Sequence, residues 1–278
     1  MGKEKDLAML VSCIKQKNKI DLSSYRGSFL LRRLQARMNV FPFTEIKEYI
    51  NLLYRSEEER EAFLKSLSIN VSEFFRDISV FKYFREVCVR EIIKKKELEG
   101  RRVIRFWSAG CSYGEEAYSL AIILKEELGE KIDKFIVRVM ATDINKEALK
   151  VAKEGEYKVS SLKNLEKRIL EKYFVPTNNP HCYRVREEIK EIVRFSEHNL
   201  LIDAPLKFMD VVFCRNVKIY FDTLQSEEVL LKLYNSLREG GFLVLGATEI
   251  MPFSLRELFS PLKGYYGIFK RNKGGGNG

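Results

Sequence analysis

The run from Ile104 to Ser119 reads IRFWSAGCSYGEEAYS, an apolar strand, a small turn Ala109-Gly110-Cys111-Ser112-Tyr113-Gly114, and two acids at a helix start. Glycine in such a turn lets the backbone approach a ligand, and the free amides of the following helix aim at its charged end. Glu115 and Glu116 then have two readings: one of them answers a ligand cation such as an α-ammonium, or both complement the helix dipole. About two dozen residues later, FIVRVMA at 135–141 ends in Thr142-Asp143, which sets a carboxylate at the C-terminal edge of a strand. Two acceptor oxygens match the two donors of a ribose diol. The competing use of Asp143 is to cap the helix INKEALK. Glycine turn plus acid is common to dinucleotide enzymes and methyltransferases and does not choose between them.

Two further segments narrow the choice: NVSEFFRD at 70–77 and FCRNVKIYFD at 213–222. On residue types alone, the first is equally a domain junction held by Phe74 and Phe75, and Tyr220 is equally a core aromatic. In this order the four segments resemble the chemotaxis-receptor methyltransferases, CheR-type enzymes that methylate glutamate side chains with S-adenosylmethionine. The likeness covers nearly the whole chain. It implies that Asn70, Ser72 and Arg76 reach across to the cofactor and the substrate carboxylate. It further implies that Asn199 and Leu200 form an adenine-binding turn, that Arg215 and Asn216 line the cofactor pocket, and that Tyr220 faces the transferred methyl. Arg76 and Tyr220 are then the catalytic pair, and Gly110, Glu115, Glu116 and Asp143 complete the cofactor set. Two positions depart from the family pattern. Ser72 stands where threonine is usual, keeping the hydroxyl and losing the methyl, and Lys218 stands where an apolar residue is common.

The implied chemistry asks little of side chains. A glutamate carboxylate is already ionised near neutrality, so it needs no general base to attack a methyl held by a sulfonium. Alignment and exclusion of water are what an enzyme can add. The absence of a Ser-His-Asp or Cys-His constellation agrees, and His181 and His198 read as incidental polar residues.

The elements that position these groups follow from period and composition. With 278 residues and 45% apolar content, the chain can form one large core or an ordinary core with a satellite domain. Residues 1–76 read as a helical N-terminal docking domain, with cap candidates from Asp21 to Ser24 before a helix whose Leu30, Leu31, Leu34 and Met38 share one side. Residues 77–100 read as a helical linker. From 101 to 271 strands alternate with helices, as a parallel-sheet domain requires. Strands are expected at 102–107, 135–141, 191–196, 209–214, 242–247 and 265–270. CYRVR beside EIVRF reads as a small antiparallel insert at about 175–195, and 272–278 as a flexible tail. With the resemblance, the fold class is α/β: a class I, Rossmann-like doubly wound S-adenosylmethionine-dependent methyltransferase sheet, with a small all-helical N-terminal domain and a small β insert.

No apolar run is long enough to span a bilayer, and the charged MGKEKDLAML is no signal peptide. A soluble, cytoplasmic protein is expected. Five scattered cysteines without a CxxC pair give no metal site or disulfide framework. A formal net charge of +10 favours acidic partners. Arg26, Arg33 and Arg37 fall on one flank of the second helix, a basic face suited to docking the acidic helical cytoplasmic domain of a chemoreceptor. Nucleic acid is not the expected partner, because the catalytic motifs of such methyltransferases are missing, and the protein is expected to act as a monomer. The alternatives are a nucleic-acid methyltransferase and a non-catalytic S-adenosylmethionine sensor.

Overall fold

The computed structural model describes residues 2–18, 22–23, 25–67, 72–247, 249–265 and 267–272. The chain forms two compact units, one from Met1–Asn70 with Val217–Ser226, the other from Val71–Asn216 with Glu227–Gly278.

The first unit is helical: α1 (Gly2–Asn18), α2 (Gly27–Met38), α3 (Ile46–Arg55) and α4 (Glu57–Leu67). Leu10, Ile14, Phe29, Leu34, Tyr49 and Phe63 share its core. The expected stripe on α2 buries Leu30, Leu34 and Met38 and leaves Leu31 half-buried. Arg26 occupies the N-cap of α2 without a side-chain cap bond; the anticipated cap residues Asp21 and Ser24 lie outside the described residues. Helix α3 opens on a reciprocal capping box between Glu45 and Glu48. The short turn holding Tyr220 belongs to this unit, and the carbonyl of Tyr220 accepts the amide of Arg26 at 2.8 Å.

The second unit begins with α5 (Ile78–Tyr83), a π-helical stretch (Phe84–Val89) and α6 (Arg90–Leu98). This segment corrects the expected linker. Its Val80, Phe81, Phe84, Cys88, Val89, Ile92 and Ile93 are buried in the core of the sheet unit, because the apolar residues among its many charges recur at helical spacing. Lys96 fastens its far end, with a buried pair to Asp210 at 2.6 Å and a bond to the carbonyl of Val103 at 2.8 Å.

From there the chain runs β1 (Val103–Ala109), α7 (Glu115–Leu128), β2 (Ile136–Asp143), α8 (Lys146–Glu154), β3 (Glu156–Lys158), α9 (Lys167–Tyr173), β4 (Phe174–Pro176), β5 (Cys182–Val185) and α10 (Glu187–Lys190). It continues through β6 (Val193–Glu197), β7 (Met209–Cys214), α11 (Thr223–Ser236), β8 (Leu237–Leu245), β9 (Phe259–Pro261) and β10 (Ile268–Arg271). The main sheet has the order β6-β2-β1-β7-β8-β10-β9. Strands β6 to β8 in that order pair in parallel, and β10 runs antiparallel to both its neighbours. All six residues of β7 are buried, as a strand covered on both faces requires. Strand order reverses between β1 and β7, so loops at the carboxyl ends of those strands border the topological switch point.

The small second sheet has the order β3-β5-β4, all antiparallel. An insert is present as expected, but its pairing differs. CYRV pairs with 156–158 and 174–176, while the EIVRF run joins the main sheet beside β2. Alternation reports which face a residue takes and not which strand lies alongside; the intervening α10 separates the two runs. Among the described residues no helix is long and apolar enough to cross a membrane.

Candidate functional site

The glycine turn is built from backbone conformation outward. Gly110 has φ +81° and Gly114 φ +95°. At Gly114 a Cβ would lie 2.9 Å from the Cβ of Ala152 and 3.0 Å from both the Phe195 ring and the Tyr157 hydroxyl, so glycine is required there by torsion and by space. The amides of Gly110 and Cys111 both donate to the carbonyl of Thr142, at 2.8 and 2.9 Å, which holds the turn against the end of β2.

Asp143 sits beside it, half-buried. Its Oδ2 accepts the amide of Ser112 at 2.8 Å and its Oδ1 accepts that of Asn145 at 2.9 Å. Burial raises its pKa, and these amide bonds oppose the rise. The cap of α8 is Asn145, whose side chain accepts from Glu147 and Ala148. The amide of Ile144 acts on the same carboxylate, so three backbone amides face a group with about four lone-pair sites.

The two glutamates at the start of α7 differ. Glu116 accepts the Ser108 hydroxyl at 2.7 Å and lies 3.5 Å from the guanidinium of Arg215. Glu115 is buried, and its Oε2 has no hydrogen-bond partner. Burial pushes its pKa up to about 7, with a bond from Ser72 among the opposing influences. Ser72 is thereby placed at the first turn of α7. Arg215 donates to the carbonyl of Arg76 at 3.2 Å, pairs with Asp77, and lies over the ring of Phe81. The charge of Arg76 also acts on Glu116. Segments 72–77, 108–116, 143–145 and 215–216 therefore converge at the carboxyl ends of β1, β2 and β7.

Asn199 begins the turn after β6, next to Asp143, whose carbonyl accepts the amide of His198 at 3.1 Å. The Oδ1 of Asn199 accepts from Leu201 at 3.0 Å and its own amide donates to Asp203 at 2.8 Å. Leu200 is buried, with its carbonyl bonded to Lys232.

Backbone strain marks the same places. Among the described residues, non-glycine positive φ occurs at Phe75, Asp77, Ser112 and Asn216, all within these segments, and otherwise only at Phe208. Such torsions persist where surrounding contacts over-determine them, and they gather at ligand sites. Three buried polar atoms without a protein partner lie here too: Ser112 Oγ, Glu115 Oε2 and Arg215 Nε. Unfilled acceptors and donors around a glycine turn fit a polar ligand that carries an ammonium and hydroxyls.

The remaining sequence-chosen residues lie elsewhere. Asn70 falls outside the described residues. Tyr220 is in the helical unit, its ring edge-on to Phe29 at 5.1 Å and to Tyr25 at 6.2 Å. Arg26 is exposed. Arg33 stacks on the Phe29 ring at 5.4 Å. Arg37 forms a two-point pair with the buried Glu59, at 2.6 and 3.0 Å, and Glu59 also accepts the Tyr49 hydroxyl. Arg37 is thus committed to its own fold, a departure from the uniform basic flank expected from helical angles.

Sequence reading passed over Ser112, Asp77 and Glu249. Ser112 lay inside the chosen turn. Asp77 directly follows Arg76, and an acid beside an arginine is a usable signal. Glu249 follows β8 at its carboxyl end, the placement that singled out Asp143, and its Oε2 accepts the amides of Gly246 and Asn216 at 2.7 and 3.0 Å.

Residues 70–268 match a family model described as CheR methyltransferase, SAM binding domain, and residues 5–68 match CheR methyltransferase, all-alpha domain. The chain is 34% identical over 255 residues to the chemotaxis protein methyltransferase of Salmonella typhimurium, covering 87% of this chain and 84% of that one. To the chemotaxis protein methyltransferase of Escherichia coli it is 35% identical over 243 residues, covering 85% and 81%. It is also 29% identical over 265 residues to an uncharacterized 104.1 kDa protein of Rhodobacter capsulatus; there the match takes in 95% of this chain and spans 27% of the relative.

Proposed function

The chain belongs to the CheR methyltransferase family, and on that premise we propose that it methylates glutamate side-chain carboxylates of chemoreceptors, producing glutamyl methyl esters in chemotaxis adaptation. When bound, S-adenosylmethionine supplies an electrophilic methyl on sulfonium. The chain's residues then have to hold, orient and exclude water. Asp143 takes the ribose hydroxyls, Asn199 and Leu200 the adenine edge, and Glu115 the α-ammonium, which fills its unpartnered oxygen. Glu116, already supplied by Ser108 and Arg215, serves instead to fix the arginines. Arg76 receives the substrate carboxylate, and Tyr220 orients it toward the methyl.

The observation that carries this reading is the convergence of strained backbone and unfilled polar atoms at the switch point, to which no step of acid-base catalysis has to be added. Attack by an ionised carboxylate needs none. Arg26 and Arg33 supply docking charge for an acidic receptor helix, and we place the protein in the cytoplasm as a monomer. Incubation with methyl-labelled cofactor and either receptor fragments or RNA tests the assignment. Label should appear in receptor alone and leave as methanol on mild base treatment, since an ester is base-labile. Base-stable label, label in RNA, or no transfer despite cofactor binding would each overturn it.

A further inference from the structure

Glu249 stands just past the end of β8 and turns its carboxylate back across two strand ends. One oxygen, Oε2, accepts the amide of Gly246 at 2.7 Å and that of Asn216 at 3.0 Å. Gly246 follows β8, and Asn216 follows β7 with φ +60°, a torsion a side-chain-bearing residue holds only when something fixes it. Glu249 is itself buried. A second feature of the fold depends on this arrangement. A Cβ on Gly246 would lie 2.9 Å from Glu249 Oε2 and 3.2 Å from both the amide and the side-chain nitrogen of Asn216. The φ of Gly246 is not positive, so a side chain there would be opposed by the carboxylate and the asparagine and not by torsion.

We infer that Glu249 and Gly246 form a clamp that sets the Arg215–Asn216 turn in its cofactor-competent conformation, making Glu249 a positioning residue. The inference rests on the reading that Asn216 lines the cofactor site. A buried carboxylate accepting two amides makes charge-assisted bonds, stronger than neutral ones, and bridging neighbouring strands fixes the distance between their ends. Without it, the left-handed torsion at Asn216 is free to relax and the asparagine loses its register, while the Arg215 guanidinium stays held by Asp77 and Glu116.

Isothermal titration with S-adenosylhomocysteine and steady-state kinetics test this on the full chain. Glu249→Ala should weaken binding by about tenfold or more and raise KM for the methyl donor, while kcat at saturating donor stays within about threefold. Gly246→Ala should reproduce that loss by displacing the carboxylate. Glu249→Gln should bind within about threefold of wild type, because both amides use one oxygen and a glutamine carbonyl has two lone pairs. Exchange of the 213–218 and 244–249 amides should quicken in the alanine variants only. Glu126→Ala, which removes the acceptor of Arg168, Lys172 and Tyr173, controls for general destabilisation and should bind normally. Asn216→Ala separates the two layers. If it binds as wild type, the site reading fails and the clamp with it. If it is weakened while Glu249→Ala and Gly246→Ala keep wild-type affinity, or if kcat alone falls, the clamp inference is overturned and the site reading stands.

Discussion

Arg215 donates to the main-chain carbonyl of Arg76 at 3.2 Å while its guanidinium lies 3.5 Å from the carboxylate of Glu116. One buried side chain thus joins a segment near residue 76 to the start of α7 and the end of β7, elements far apart in sequence. A buried arginine is stable only with its charge answered, and here Asp77 and Glu116 answer it from two sides. The charge network therefore fixes backbone position at Arg76 as well as compensating charge.

Asp143→Ala removes the ribose acceptors and should cost about 2–4 kcal/mol of S-adenosylhomocysteine binding. The carboxylate also anchors the amides of Ser112 and Asn145. A further loss of about 1–3 kcal/mol in unfolding free energy is therefore expected. Calorimetric titration and urea midpoints read the two effects separately, and wild-type affinity in the variant would remove Asp143 from the ribose.

Glu115 should make cofactor binding pH-dependent. Its pKa in the free protein is pushed up to about 7 by burial, and pairing with an ammonium would bring it down, so binding releases a proton. Affinity should therefore rise with pH and level off above the free-protein pKa. The gain from pH 6 to pH 8 is about tenfold. Stability of the free protein follows the opposite sign. The folded state holds the proton more tightly than the unfolded chain between about 4.5 and 7, so stability falls as pH rises through that window. Titrations of wild type and Glu115→Gln at both pH values check this, since the variant should lose the slope; a wild-type slope of zero would assign the ammonium elsewhere.

The site was legible where chemistry coincides with strand ends. The turn 109–114, Asp143 and the arginine at 215 were accessible because parallel sheets put function at carboxyl ends. Contacts between segments distant in sequence were not accessible. Nothing in NVSEFFRD shows that Asp77 meets Arg215, nor does the run after β8 show that Glu249 reaches Asn216. The same limit explains the fold-level differences. Periodicity found the helix at 78–98 but not that it joins the sheet core, and alternation found CYRV but not that 156–158 and 174–176 are its neighbours. Arg37 is the sharpest case, since helical angles place it beside Arg33 and only the position of α4 brings Glu59 against it.

Tyr220→Phe should leave S-adenosylhomocysteine affinity unchanged and slow methyl transfer in a single turnover by about tenfold or more, if the hydroxyl orients the attacking carboxylate. The ring packs edge-on to Phe29 and Tyr25, and phenylalanine keeps those contacts. Urea midpoints of the two proteins separate any stability effect from the rate. Equal rates for the two proteins would return Tyr220 to a packing role.

Docking is best tested with Arg26 and Arg33, leaving Arg37 out. Arg37→Glu would set a second carboxylate against Glu59, which is buried and takes two bonds from Arg37. Stranding a buried charge costs about 3–5 kcal/mol, so loss of methylation in that variant would report unfolding of the helical unit. Arg26 is exposed, and the guanidinium of Arg33 stacks on Phe29 with no ion pair among the described residues. Reversal of these two charges should therefore lower receptor methylation at least tenfold at low ionic strength and leave S-adenosylhomocysteine affinity intact. The wild-type rate should itself fall with added salt, as the screening length drops below about 8 Å. Receptor methylation at the wild-type rate by Arg26→Glu/Arg33→Glu in low salt would show that this end of α2 is not the docking surface.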